Sequence, residues 1–432
     1  MNGSPQPEAQ DSRGYRAWLL FVLMLVCLVN YADRSVISSV AEPLRREFGL
    51  SDLQLGLLQG LSFALLYSLL GVPFARLAER RSRVRILAAA TFAWSALTVA
   101  CGAAANYWQM LLVRVGVGVG EAGFMAPASS LLGDHFPRSR RAFATSVMML
   151  GVPFGALIGA TVGGYIAQSI GWRWAFLALG APGVLVAALV LFTLREPLRG
   201  RHEQQAQQDV PPLGDVARQC LRDPVFRHVA MGGMLAGFGL HGLGQFLGVY
   251  LVRSYGLPYG MAGMIYGLIA AFTITLGLLV GGSLADRFGR RDLRWYARIP
   301  AMGTVLSAPL YLLAFSSQQL AVSVGFLLAA GSCLLLHFGP GVATVQNLAT
   351  ARTRASMIAI YQLVVNVVSM GLGTPLIGWL SDRFAAQALA QGSITLQQAQ
   401  ALGLRHALMA STVFYVWAGL HYWLASRHQA RN

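Results

Sequence analysis

Four ionisable side chains interrupt two otherwise apolar stretches: Asp33 and Arg34 in WLLFVLMLVCLVNYADRSVISSV, and Arg114 and Glu121 in WQMLLVRVGVGVGEAGFMAPASSLL. An ionised side chain at mid-bilayer costs at least ~2.5–3.5 kcal/mol. Such residues persist where they pair, face water or help to move a charge. Burial disfavours an ionised carboxylate and a neighbouring guanidinium restores it. A glutamate that gains and loses an arginine partner can therefore take a proton on one side of a membrane and release it on the other. Arginine stays charged, and its planar fork holds a carboxylate or phosphate through two parallel hydrogen bonds. Asp33 and Glu121 thus read as proton-coupling residues. Arg34 and Arg114, with Tyr31 beside them, read as binding an anionic substrate. A static ion-pair network fixing the two helices is the structural alternative. The two readings are compatible, because a pair that breaks during a cycle is also a lock.

Helical rise sets their depths. Counting from an inner face near residue 17 and an outer face near residue 107, ~1.5 Å per residue puts Asp33 roughly 24 Å up. The same count puts Arg114 roughly 10 Å and Glu121 roughly 21 Å below the outer face. In a span about 36 Å long, Asp33, Arg34 and Arg114 share a level and Glu121 lies about 10 Å deeper. Arg114 and Glu121, nearly two turns apart, fall on one helix face. The expectation is a basic cluster beside Asp33 with a lone carboxylate below it.

The elements that must carry these residues are long and apolar. Of 432 residues 55% are hydrophobic and 12% charged, which suits repeated membrane spans and no soluble domain. Twelve transmembrane helices are expected, at about 17–40, 53–78, 84–104, 107–133, 141–168, 172–194, 226–252, 259–285, 294–315, 318–345, 354–380 and 404–426. The fold class is therefore an all-α membrane protein. The net charge of +16 comes entirely from arginine, since the chain has no lysine. The arginines crowd alternate loops, for example Arg80, Arg81, Arg83 and Arg85, then Arg287, Arg290, Arg291 and Arg294. That asymmetry places both termini in the cytoplasm. It makes membrane lipids with anionic headgroups, rather than nucleic acid, the partner of the charge. A lysine-free, arginine-rich composition points to a GC-rich bacterial genome and hence to the inner membrane.

Several chemistries are excluded. Without lysine there is neither a Walker A loop nor a Schiff base, so no ATP-driven pump is expected. Gly118, Gly120 and Gly123 match a dinucleotide fingerprint, but they lie inside an apolar span with no preceding strand. Cys27, Cys101, Cys220 and Cys333 are scattered packing residues with no metal spacing. No enzyme activity, metal or cofactor is expected, and a proton gradient supplies the energy. The first span is too long for a signal-peptide core and contains Asp33-Arg34, so it reads as uncleaved.

The polar stretch 195–225 divides the spans six and six. It separates an N-terminal bundle (1–194) from a C-terminal bundle (226–432). Within it Leu213, Val216, Ala217, Cys220 and Leu221 share one helical face, which predicts an amphipathic helix on the inner membrane surface. The halves echo each other: ARLAERRSR follows the second span and GSLADRFGRR the eighth. Glu79 aligns with Asp286, Arg80 with Arg287 and Arg83 with Arg290, all at an offset of 207 (286 − 79). Acid and arginine there can cap and ion-pair neighbouring helix ends, which makes these six candidate gating residues. Such duplication favours two pseudo-symmetric six-helix bundles with a binding site between them near the midplane.

Other residues point less sharply. His241 and Gln245 lie in a glycine-dense seventh span, and His337 precedes a Phe-Gly-Pro-Gly helix break. Each is a candidate for substrate binding, and each histidine reads equally as a packing residue. Tyr67, Met125, Met148, Met149, Tyr361, Gln362 and Asn366 suit a path through the bundle but read first as core. Gly151, Gly155, Gly159 and Gly163 make a smooth stripe for close helix packing on span 5.

The duplicated loops resemble the signature between helices 2 and 3, and 8 and 9, of the major facilitator superfamily. The first copy departs from it at Ala75, Glu79 and Ser82. The strings NYADRSVIS, RVGVGVGEAGFMAPASS, GWRWAF and REPLRG resemble the Spinster family of lipid transporters. That resemblance implies proton coupling at the positions of Asp33, Arg34, Arg114 and Glu121. It also implies an amphipathic anionic or zwitterionic substrate such as a lysophospholipid or sphingoid phosphate, carried by a monomer through alternating access. Facilitators of small organic anions, the sugar-acid type, resemble the same constellation and stay open as an alternative. A channel or sensor is the remaining class, and the duplicated halves argue against it.

Overall fold

The structure is a computed structural model that describes residues 12–198, 211–350, 353–392 and 394–429. Among the described residues the ordered elements are helical, and eleven helices are long and apolar enough to cross a membrane. Spans 1 to 6 are Arg13–Ser39, Asp52–Arg80, Arg83–Cys101, Tyr107–His135, Phe143–Ser169 and Trp172–Thr193. Spans 7 to 11 are Pro224–Tyr255, Tyr259–Gly289, Trp295–Ser316, Leu320–Leu348 and Ser356–Ala390. The twelfth comprises two segments, Leu396–Ser411 and Val413–Gln429. It starts before the expected 404 because Thr395 and Gln398 form a capping box that nucleates a helix in polar sequence. It is interrupted where the Ser411 and Thr412 hydroxyls each donate to the carbonyl three residues back at 2.7 Å.

Glycines decide how closely the spans approach. The stripe on span 5 lies directly on span 1, where a Cβ at Gly151 would meet the Leu28 nitrogen at 2.6 Å. The opposite face of span 5 meets span 8, with Gly164 against the Tyr259 carbonyl. Span 2 meets span 11 in the same way, Gly56 against Thr374 and Gly60 against Met370. These two seams join spans 1–6 to spans 7–12. A third core at the outer end packs Ala41, Leu50 and Leu55 with residues of the second half, whereas two others stay within one half each, from Leu19 to Leu194 and from Val216 to Ala425.

Leu213–Arg222 forms the expected amphipathic helix, with a difference. Val216 and Cys220 are buried against residues of spans 7 and 11, while Leu213 and Leu221 stay exposed. Its apolar face is thus divided between the protein and its surroundings. Arg199, Arg201 and Arg352 fall outside the described residues.

Inner and outer here follow the arginine asymmetry. Toward the outer end a series of hydrogen bonds and ion pairs joins the two sets of six spans. The inner loop residues Glu79, Arg80, Asp286, Arg287 and Arg290 are exposed. The joining contacts close the bundle at its outer end.

Candidate functional site

Span 1 carries Arg34 to the boundary between the halves. Its Nε donates to Glu121 Oε2 at 2.6 Å, and the Glu121 side chain is fully buried while that of Arg34 is 17% exposed. Span 4 delivers Glu121 at the end of Tyr107–Glu121, just before a short break at 122–124. Gly120 lets the segment crowd Trp94 of span 3, and Gly118 lets it crowd Phe63 of span 2. The guanidinium of Arg34 sits 4.7 Å from the ring centroids of Phe63 and Tyr67 and 5.1 Å from that of Tyr31. Three aromatic faces hold the cation where little water reaches it.

Glu121 is therefore not the lone carboxylate that helical rise suggested. Axial depth counts Cα positions, and the length of the arginine side chain closes the gap. Asp33 points elsewhere, because successive helix residues are rotated by about 100°. It is fully buried and accepts from Thr98 Oγ1 at 3.3 Å, with Oδ1 unpaired. Arg114 is 2% exposed, lies 5.9 Å from the Phe63 ring, and leaves Nε and Nη1 without hydrogen bonds. Asp33 lies within electrostatic reach of both Glu121 and Arg114. The four expected residues form one buried island in spans 1 and 4, and only Arg34 touches the space between the halves.

That space is a cavity of about 230 Å³. Tyr31, Arg34 and Ser35 line one wall, and His241, Gln245 and Tyr266 add polar atoms. The remainder is largely apolar and belongs mostly to the C-terminal half, including Leu240, Leu243, Ile269 and Leu335. Gln245 accepts from the Ser38 hydroxyl across the boundary. His337 does not line this cavity; it is buried, with Nδ1 2.6 Å from the Leu334 carbonyl and its ring near Tyr422. No metal-binding cluster occurs among the described residues. Chemically, Arg34 faces two ways: toward an anion in the cavity and toward a carboxylate sealed behind it.

The description Major Facilitator Superfamily matches residues 23–374. The chain belongs to the major facilitator superfamily. It is 32% identical over 422 residues to an MFS-type efflux pump of Mycolicibacterium smegmatis, covering 96% of this chain and 94% of that one. It is 26% identical over 418 residues to the sphingosine-1-phosphate transporter SPNS2 of Xenopus tropicalis, covering 93% and 80%. A bacterial homologue of the human lysosomal transporter Spinster, solved inward-facing and unoccupied, superposes with TM-score 0.89 at 30% identity over 98% and 99% of the two chains. This facilitator is a membrane transporter of the Spinster type.

The duplicated loops of this facilitator are not equivalent in place. Arg83 is buried, and its guanidinium binds Asp134, Glu196 at 2.7 Å, Ser130 at 3.0 Å and the Pro197 carbonyl at 2.9 Å. Burial works against ionisation of Glu196, but the Val84 amide and Arg83 outweigh it and hold the carboxyl below its usual range. In the second half Asp286 accepts from Tyr296 Oη at 2.9 Å, and Arg290 lies exposed. Arg83 thus ties spans 3 and 4 and the chain after span 6 together within one half.

A charged cluster joins the halves at the outer end that the sequence did not reveal. At the outer end Arg253 binds both Asp52 oxygens at 2.7 Å and Glu42 at 2.9 Å. Ser381 donates to Asp52 at 2.6 Å, and Asp382 accepts from the Asp52 and Leu53 amides at 2.9 Å each. Asp382 of span 11 thereby caps the start of span 2 from the other half. Burial pushes Glu42 toward its neutral form, but Arg253, Arg45 and Arg46 outweigh it and bring the carboxyl down to about 2. Its one legible signal was Arg253 itself, an arginine at an outer helix end against the charge rule.

Proposed function

We propose that this facilitator is a proton-coupled carrier of a single-chain anionic or zwitterionic lipid, such as a lysophospholipid or sphingoid phosphate. It works by alternating access in a bacterial inner membrane, with both termini in the cytoplasm. The observation that carries the reading is the position of Arg34, shared between the cavity and Glu121. An anionic headgroup entering the cavity competes with Glu121 for the guanidinium. A glutamate displaced from its arginine in a dry site takes a proton. When the headgroup leaves, Arg34 returns and the proton is released. Substrate and the Glu121 carboxylate therefore alternate on one cation, and the proton boards and leaves with the substrate, while Asp33 and Arg114 set the field behind it.

The cavity supports a lipid tail. Its wall beyond Arg34 is predominantly aliphatic, and about 230 Å³ lies below the ~300–1,000 Å³ of ordinary ligand pockets. A space of that size admits part of one acyl chain and not two. His241, Gln245 and Tyr266 near the arginine also suit a small organic anion, which is the second reading. Proteoliposome flux separates the two. Lysophosphatidate accumulation driven by a pH gradient, abolished by a protonophore, supports the lipid carrier. Uptake of sugar acids with no lysolipid binding or movement would replace it with the second reading.

A further inference from the structure

Arg34 and Ser38 stand one turn apart on span 1, and His241 and Gln245 one turn apart on span 7. Across the boundary both pairings carry the offset of the duplicated loops, 207 (241 − 34 and 245 − 38). The halves therefore meet at equivalent positions, where the Ser38 hydroxyl donates to Gln245 Oε1. Ser38 Oγ also lies 3.5 Å from Gln59 Oε1, but a hydroxyl has one hydrogen and the shorter contact takes it. With its oxygen engaged, Gln245 has its amide nitrogen, a pure donor, left for a ligand in the cavity it lines. The Arg34 fork and a His241 N–H are donors too. Among the described residues that line the cavity no carboxylate occurs, and Asp33 and Glu121 are buried behind Arg34. Nor do the lining rings form a cage for a cation. Tyr31 already faces Arg34, and Tyr311 packs on Phe315 and Tyr415, which leaves Tyr266.

We propose that the cavity selects phosphate monoesters of single-chain lipids and rejects lipids whose polar part carries a cation, with Gln245 the specificity-determining residue. The phosphate takes the Arg34 fork through two oxygens. Gln245 and His241 donate to its third oxygen and to the hydroxyl on the neighbouring carbon. One helical turn, about 6 Å, separates the level of Arg34 from that of Gln245, a length that a phosphate and its neighbouring hydroxyl bridge. A choline substituent takes one phosphate oxygen away from these donors, and its ammonium meets neither carboxylate nor cage. An unpartnered cation in so dry a site is costly. This inference rests on the lipid-carrier reading above.

Displacement of labelled lysophosphatidate from the protein in nanodiscs tests it. Lysophosphatidylcholine and a sphingoid phosphate of matched chain length should each compete at least about tenfold more weakly than unlabelled lysophosphatidate, the worth of one hydrogen bond to a charged group. Equal competition by the choline lipid would overturn the selectivity and leave the lipid carrier standing. Failure of every lysolipid to bind, with glycerol phosphate bound instead, would overturn both. Gln245→Glu supplies the missing carboxylate and keeps an acceptor for Ser38. It should move the ratio of lysophosphatidylcholine to lysophosphatidate affinity at least about tenfold toward the choline lipid. An unchanged ratio would overturn the role of Gln245. A general loss of affinity cannot mimic a changed ratio, and the parent's own ratio decides the selectivity if the variant does not express.

Discussion

Arg253 presents two guanidinium nitrogens to the two carboxylate oxygens of Asp52, each at 2.7 Å, from opposite halves of the protein. The pair is nearly water-free, with side chains 5% and 4% exposed. Such bidentate geometry is rigid as well as strong. It closes the outer end, so the carrier cannot present its cavity outward until this contact breaks.

Arg253→Gln should therefore shift the population toward outward-open forms. Removing one partner of a buried pair costs ~3–5 kcal/mol, here charged to the closed state. Maleimide labelling of Ser38→Cys from outside should accelerate at least tenfold in the Arg253→Gln background. Arg253→Lys should behave similarly, because an ammonium cannot reproduce the fork. Unchanged labelling would show that the glycine seams alone hold the outer end shut.

The outer contact should not respond to physiological pH. Glu42 ordinarily titrates at 4.5 and is held near 2 here. A depressed carboxyl contributes stability that is complete above 4.5 and lost as pH falls toward 2. Labelling of Ser38→Cys, divided by that of a freely exposed cysteine to remove the pH dependence of thiolate reactivity, should thus stay flat from pH 8 to 5 and rise only below 4.5. A rise between pH 7 and 5 would assign a proton switch to the outer end.

The two repeat-related arginines should differ sharply. Arg83→Ala removes a cation that Asp134 and Glu196 share in a site where Arg83 is 2% exposed. A loss of ~3–5 kcal/mol is expected, visible as a clear drop in Tm. Arg290→Ala, on the exposed inner loop, should stay within ~0.5 kcal/mol of the parent. Similar losses at both positions would mean that a second state uses the two loops alike.

Filling the apolar part of the cavity should separate tail from headgroup. Ala270→Trp on span 8 places an indole in the lining. Lysophosphatidate transport should fall at least tenfold while Tm holds, and the headgroup alone, offered as glycerol phosphate, should compete as weakly as before. Equal transport would remove the cavity from the tail path.

Much of the architecture was legible because a bilayer demands long apolar helices, and their lengths are written in the chain. The stripe from Gly151 to Gly163 was legible for the same local reason, and it packs on span 1. The last span was harder. Its outer segment is polar in sequence and is started by the Thr395 cap rather than by hydrophobicity. Within the island, the residue types were readable but their pairing was not. Helical rise fixes depth, whereas the Arg34–Glu121 bond depends on side-chain length and on which way Asp33 turns. The outer lock was illegible because Asp52 meets Arg253 201 residues away and Asp382 330 residues away. Only the fold brings such separations together.

The most direct test of the account is gradient-driven lysophosphatidate flux in proteoliposomes containing Glu121→Gln. A glutamine can still bond Arg34 but carries no titrating proton. Substrate exchange without a gradient should persist, and the response to an imposed pH gradient should vanish. Accumulation that still follows the pH gradient as in the parent would contradict the claim that Glu121 and the substrate take turns on Arg34.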